Sequence, residues 1–154
     1  MTAIDTTTVI TVVFHHIFRY ARTPGEVEAL VGEIVEAPPQ VTCEIYVWDR
    51  PCVSFREPTG PAFPDGRLRV TSEPGLGWGA LNYVHRTRED GALVDSFNPA
   101  ADETTPVVPF DDEGGIDFPR SASLPLDQVR EAVAEYARTG ARPTCVQWQP
   151  GYWY

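Results

Sequence analysis

Apolar and polar positions along this 154-residue chain follow two different periods, and the switches between them mark its elements. Thr8 to Phe18 is rich in β-branched and aromatic residues and reads as a first strand. Thr23-Pro24-Gly25-Glu26 then forms a capping box with proline at the first helical position. Val27, Leu30, Val31 and Ile34 supply the apolar stripe of the helix that follows, and Pro38-Pro39 ends it. Cys43 to Trp48 and Cys52 to Phe55 read as two short strands around Asp49-Arg50-Pro51, with a Pro- and Gly-rich loop from Glu57 to Gly66. Arg67 to Thr71 and Ala80 to Thr87 alternate as half-buried strands do, on either side of Gly75-Leu76-Gly77-Trp78-Gly79, and so predict a hairpin. Ala92 to Phe97 continues the meander after a turn at Glu89-Asp90-Gly91. Asn98 to Pro119 is long for a loop in a compact domain, so it is expected to bind something or to hide a short strand such as Val107 to Phe110.

The last third is the most regular. Leu126, Val129, Val133 and Tyr136 share one face of a helix, while Asp127, Arg130, Glu131, Glu135 and Arg138 fall on the other. Gly140 stands where a helix end needs positive φ, and Pro143 forbids continuation. Cys145, Val146 and Trp148 then form a short apolar return, expected to pack beneath the helix as a strand. Together these elements predict a single α+β domain over residues 1–154, an antiparallel sheet of about five to seven strands with two covering helices.

Two blocks are more specific than their architecture. Leu-x-Val at Leu68 to Val70 precedes Gly-x-Gly-Trp-Gly-Ala-Leu-x-Tyr at Gly75 to Tyr83. Far downstream come Leu-Pro-Leu-Asp at Leu124 to Asp127 and Ala-Val-x-Glu-Tyr-x-x-Thr-Gly-x-x-Pro-x-x-Val-x-Trp at Ala132 to Trp148. In order and spacing these blocks resemble the first-numbered immunity-protein family of bacterial polymorphic toxin systems. The resemblance implies a small cytosolic protein that binds and silences a cognate toxin, frequently a nucleic-acid deaminase and sometimes a nuclease.

Charge adds an independent constraint. The net charge is −10, and Glu89, Asp90, Asp95, Asp102, Glu103, Asp111, Asp112, Glu113 and Asp117 lie in one stretch that contains no Arg or Lys. Such a run is ordinarily a solvated surface. It also disfavours nucleic acid as a direct partner, because phosphate contacts need clustered Arg or Lys. A basic protein partner fits instead: carboxylates can steer toward, and occupy, the groove with which a toxin grips nucleic acid. The first residues lack the basic start of a secretory signal and Val9 to Phe14 is too short to span a membrane, so a cytoplasmic location is expected. Cys43, Cys52 and Cys145 are odd in number and lack paired spacing, which favours buried reduced thiols over a disulfide or zinc site.

Residues that could carry catalysis do not assemble. His15 and His16, adjacent on a strand, point to opposite faces, and His85 simply continues a strand. The glycine-rich hairpin precedes a strand, whereas phosphate-cradling loops lead into a helix. Asp111-Asp112-Glu113 lacks the alternating ligands of a calcium loop. No catalytic, cofactor or metal residue is therefore assigned, and the chain reads as a stoichiometric inhibitor without a cofactor. Its expected partner-binding residues are Trp78, Asp102, Glu103, Asp111, Asp112, Glu113 and Asp117. Gly151-Tyr152-Trp153-Tyr154 is expected to fold back and close the core, since rings buried in a protein's own core are commoner than exposed anchors. The alternatives are a small α+β enzyme or ligand-binding domain, which requires a pocket with convergent polar groups, and a scaffold subunit, which requires obligate oligomerisation.

Overall fold

The computed structural model describes residues 8–14, 17–36, 42–87, 93–111 and 113–153. In chain order the elements are β1 (Val9–Phe14), β2 (Ile17–Ala21), α1 (Pro24–Glu36), β3 (Cys43–Trp48), β4 (Gly66–Glu73), β5 (Trp78–His85) and β6 (Leu93–Phe97). They continue with β7 (Pro109–Asp111), β8 (Ile116–Asp117), β9 (Leu124–Pro125), α2 (Leu126–Thr139) and β10 (Gln147–Pro150). The main sheet runs β10-β6-β5-β4-β3-β1-β2, with β9 added to β5, and β7 and β8 form a separate ribbon. Neighbours in the main sheet are antiparallel, so this is the α+β architecture predicted from the pattern.

Alternation along the strands puts Ile10 and Val12, Cys43 and Ile45, Leu68 and Val70, and Leu81 and Tyr83 on one face of the sheet. Both helices lie there. Val27, Leu30, Val31 and Ile34 of α1 and Val129, Val133 and Tyr136 of α2 are buried in one cluster with those strand residues. Each fully buried aliphatic contributes about 1.5–3 kcal/mol by leaving water. The α1 capping box is present as expected: the Glu26 N–H donates to Thr23 Oγ1 (3.2 Å) and the Thr23 N–H to Glu26 Oε1 (3.1 Å). Arg130 of α2 pairs with Glu36 at the end of α1, tying the helices together.

Two glycines let α2 seat where it does. A Cβ on Gly79 would lie 2.5 Å from the Thr71 carbonyl oxygen and 3.1 Å from Val129 Cγ2, so β5 meets β4 and α2 too closely for any side chain. Gly140 ends α2 in the left-handed conformation (φ 68°), its N–H donating to the Tyr136 carbonyl at 2.7 Å.

Several predicted boundaries change. Thr8 to Phe18 is not one strand but parts of β1 and β2, paired with each other from Phe14↔Ile17 to Ile10↔Ala21; His15 and His16 lie outside the described residues. Cys52 to Phe55 is not a strand, because the Cys52 N–H is taken by the buried Thr11 hydroxyl (3.2 Å) and only a single bridge, Val53 to Ala62, forms. The return after α2 forms a strand, but this begins at Gln147 and lies on the sheet edge beside β6, with Val146 and Trp148 packed against the core that α2 shares. The strand suspected within Asn98 to Pro119 exists as β7, slightly later than expected and paired with β8. The turn at Glu89-Asp90-Gly91 lies outside the described residues. Cys43 and Cys52 are buried thiols, pushed up by that burial to about 12 and about 11, whereas Cys145 is exposed. Among the described residues no helix is long and apolar enough to cross a membrane.

Candidate functional site

Neither α1 nor α2 packs on the other face of the sheet, and its residues are of a different kind. The two-residue period places Glu44 and Tyr46, Arg67, Arg69 and Thr71, Ala80 and Asn82, and Asp95 there. A polar strip crosses these strands. Arg67 Nε lies 3.1 Å from Glu44 Oε2, and Arg67 Nη1 donates to Asn82 Oδ1 (3.2 Å). Asn82 Nδ2 in turn donates to Asp95 Oδ1 (2.9 Å), while the Tyr46 hydroxyl donates to Glu44 (3.2 Å). Burial pulls the Arg67 pKa down, with Glu44 opposing it, and burial raises Asp95, with the Asn82 hydrogen bond opposing it.

Two loops close over this face and are held by side chains rather than by a sheet ladder. On the β1–β3 side, the Tyr20 hydroxyl donates to the Cys52 carbonyl (2.9 Å), and Phe63 packs against Tyr46 with ring centroids 5.1 Å apart. On the other side lies the long acidic segment. Arg69 Nη1 donates to the Phe110 carbonyl (2.9 Å) while its guanidinium stacks 4.4 Å above the Phe110 ring. The Thr71 hydroxyl donates to the Pro109 carbonyl (2.8 Å) and the Thr42 hydroxyl to that of Phe110 (3.1 Å). Beneath the segment Ala80, Val108, Phe110, Phe118 and Ala122 form a second core, with Trp78 and Ile116 packed against it.

This arrangement brings some of the expected partner-binding residues together. Asp111, Glu113 and Asp117 share the β7–β8 ribbon, and Trp78 lies half-buried against the core beneath it. Asp111 Oδ1 accepts the N–H groups of Glu113 (3.1 Å) and Gly114 (3.2 Å), so it closes the turn that presents Glu113. Asp112 lies outside the described residues. Asp102 and Glu103 occupy a separate turn, in which Asp102 Oδ1 accepts the Thr104 hydroxyl (2.6 Å) and N–H (2.8 Å); these bonds lower the Asp102 pKa. Asp102, Glu103, Glu113 and Asp117 are exposed.

The segment after β10 departs from expectation. Tyr152 is 81 % exposed and Trp153 50 %, so neither ring closes the core. Their backbone is nonetheless tied down: the Gly151 N–H donates to the Leu93 carbonyl (3.2 Å) and Asn82 Nδ2 to the Trp153 carbonyl (3.2 Å). Pattern reading missed this, although Pro150-Gly151 was the available signal for a chain leaving the sheet. It also missed Arg69 and Thr71, whose place on the polar face of β4 was the clue to a covering segment.

Two clefts among the described residues lie elsewhere. A cleft of about 360 Å³ at one end of the sheet is lined by Trp48, Asp65, His85 and Tyr136 among others. There His85 Nδ1 accepts the Thr87 N–H at 3.3 Å, a bond that orients the ring locally. A second cleft, about 380 Å³, lies between Tyr83, Arg142, Pro143 and Trp148. Among the described residues no group of three or more His, Cys, Asp or Glu side chains is placed to hold a metal ion.

The order of residues in the α2 block has a structural meaning. The Glu135 carboxylate accepts the Thr144 N–H (2.7 Å), the Thr144 hydroxyl (3.0 Å) and the Cys145 N–H (3.2 Å), folding the Gly140 to Cys145 loop against its helix. Trp148 Nε1 donates to the Pro143 carbonyl (2.8 Å), and its ring lies 6.3 Å from Tyr83. Among curated proteins and solved structures nothing matches the chain. The family model of immunity protein Imm1 matches residues 15–150, and the chain belongs to that family.

Proposed function

We propose that the chain neutralises a nucleic-acid-directed toxin, a deaminase first and a nuclease second, by covering its basic substrate groove in the cytoplasm. It does so by stoichiometric binding, without catalysis or a cofactor, and without touching nucleic acid or membrane itself. The observation that carries this is the β7–β8 ribbon: Arg69, Thr71 and Thr42 fix its backbone on the sheet, while Glu113 and Asp117 stand exposed on it. No Arg or Lys falls between Glu89 and Asp117 in the sequence, so the segment itself carries a negative field. That field reaches about one Debye length, roughly 8 Å at physiological ionic strength, and so acts chiefly on encounter. Trp78, Asp111, Asp112, Glu113 and Asp117 form the primary contact, with Asp102 and Glu103 contributing to steering.

The experiment replaces Asp111 and Asp112 by Asn and Glu113 by Gln. Asn at position 111 retains the oxygen that closes the turn, so the ribbon keeps its shape while losing charge. Association and dissociation rates are measured at several salt concentrations against an inactivated form of the toxin domain encoded beside this chain. Association is expected to slow by about tenfold or more at low salt, with a flattened salt dependence. Unchanged rates with the salt dependence intact would reduce the ribbon to a solubility feature.

A further inference from the structure

Exposed aromatic rings on a fixed backbone are an arrangement that calls for an explanation. Tyr152 (81 % exposed) and Trp153 (50 %) present their rings to solvent, yet the chain on either side of Tyr152 is bonded to the sheet through the Gly151 N–H and the Trp153 carbonyl. The donor to the Trp153 carbonyl is Asn82, itself fully buried and held in place by Arg67 and Asp95. A Cβ on Gly151 would lie 3.1 Å from Asp95 Oδ1, so this stretch also approaches the strip closely. Rings already held in position lose little freedom when they are covered, and Tyr and Trp are the preferred anchors of interfaces.

Position within the fold adds a second argument. Asn82 on β5 is the cross-strand partner of Arg69 on β4, and Arg69 is the side chain that holds Phe110 of the acidic ribbon. Residues 151–153 and the ribbon are thus moored to paired positions on one face of the sheet, although they are far apart in the chain. We propose that Tyr152 and Trp153 form a second anchor of the partner-binding face, placing aromatic rings against arginine or lysine side chains of the same basic groove that meets the ribbon. This rests on the toxin-binding function proposed above. Charge selects the occupant: ring faces attract guanidinium and ammonium groups, whereas a second copy of a chain with net charge −10 would be repelled.

The test uses the full chain with Tyr152→Ala and Trp153→Ala combined, and Trp153→Phe alone, against the same inactivated toxin domain. The double variant is expected to keep its melting temperature and to bind roughly 30-fold or more weakly, mainly through faster dissociation; Phe at position 153 should retain most of the affinity. Unchanged binding by the double variant, beside slowed association in the ribbon variant, overturns this anchor and leaves the proposed function standing. A fall of several degrees in melting temperature also overturns it, because the rings would then be structural. So would a concentration-dependent dimer of the wild type that the double variant abolishes. No binding by the wild type would instead overturn the toxin-binding function itself, and this anchor with it.

Discussion

Glu135 is the residue on which the α2 block turns, and replacing it tests the account of that block most directly. Its carboxylate is the common acceptor for two backbone N–H groups and one hydroxyl, from Thr144 and Cys145. A charge-assisted bond in a shielded site is worth about 1.5–3 kcal/mol, but this side chain is partly exposed, and solvent competition reduces the three together to about 2 kcal/mol. Glu135→Ala should lose that amount, a fall of roughly 4–8 °C in melting temperature for a chain of this size. Glu135→Gln should lose about half, since one amide oxygen can still accept while the amide nitrogen faces a donor. The pH dependence fixes the mechanism. Burial pushes the Glu135 pKa up, yet the bonds from Thr144 and Cys145 outweigh it and the net shift is downward. A carboxylate with a depressed folded pKa contributes stability above its unfolded value, near 4.3, and loses it as the pH falls through the folded value. Urea denaturation of wild type and Glu135→Gln should therefore show a constant gap from pH 7 to about pH 5, closing below about pH 4. An equal gap at pH 3 and pH 7, or a Gln variant as stable as wild type, would refute the role assigned to the carboxylate.

Two further expectations concern the sheet. Gly79→Ala places a methyl 2.5 Å from a backbone oxygen that cannot swing aside, so it should cost about 2–3 kcal/mol in denaturant titration, and a neutral result would mean that β4 and α2 are not held as described. Asp95→Asn removes a buried charge whose pKa is raised mainly by burial, so the charged form is a cost absent below its unfolded pKa and fully present above its folded one. The Asn variant should gain in relative stability as the pH rises through that range, and a relative loss would show that the charge is better compensated than Asn82 alone allows.

Most of the helix-bearing half was legible in the sequence because its determinants are local. Thr23 and Glu26 are three residues apart and satisfy each other, and Gly140 ends α2 through its own backbone. Val129, Val133 and Tyr136 announce their burial by spacing alone. The opposite face was not legible to the same degree, because its determinants are distant. Whether Cys52 pairs in a strand is decided by Thr11, and whether Phe110 lies on the sheet by Arg69. Even the path of the chain at Tyr152 and Trp153 depends on the bond from Gly151 to the Leu93 carbonyl and the bond from Asn82, which spacing along the chain does not encode. The resemblance carried the family because its motifs fall largely on β4, β5 and α2, the elements that build the core.

This division has a physical consequence for specificity. An inhibitor that must match one toxin needs a surface whose residues can change without unfolding the protein, and stability changes are independent when sites share no partners. The β7–β8 ribbon meets that condition. Its inward neighbours Val108, Phe110 and Phe118 fill a small core with Ala80 and Ala122, separate from the cluster beneath the helices, and its backbone carbonyls at Pro109 and Phe110, not its side chains, accept the bonds from Thr71, Arg69 and Thr42. Anchoring through carbonyls leaves the outward side chains free to vary, because every residue supplies the same acceptor. Residues 151–153 are tied to the sheet in the same manner, through the Gly151 N–H and the Trp153 carbonyl. Both segments of the proposed binding face are therefore fastened by their backbones to a polar strip that is itself internally bonded. Selection for a new partner can act on Glu113, Asp117, Tyr152 and Trp153 while the cluster around Leu81, Val133 and Tyr136 continues to hold the fold.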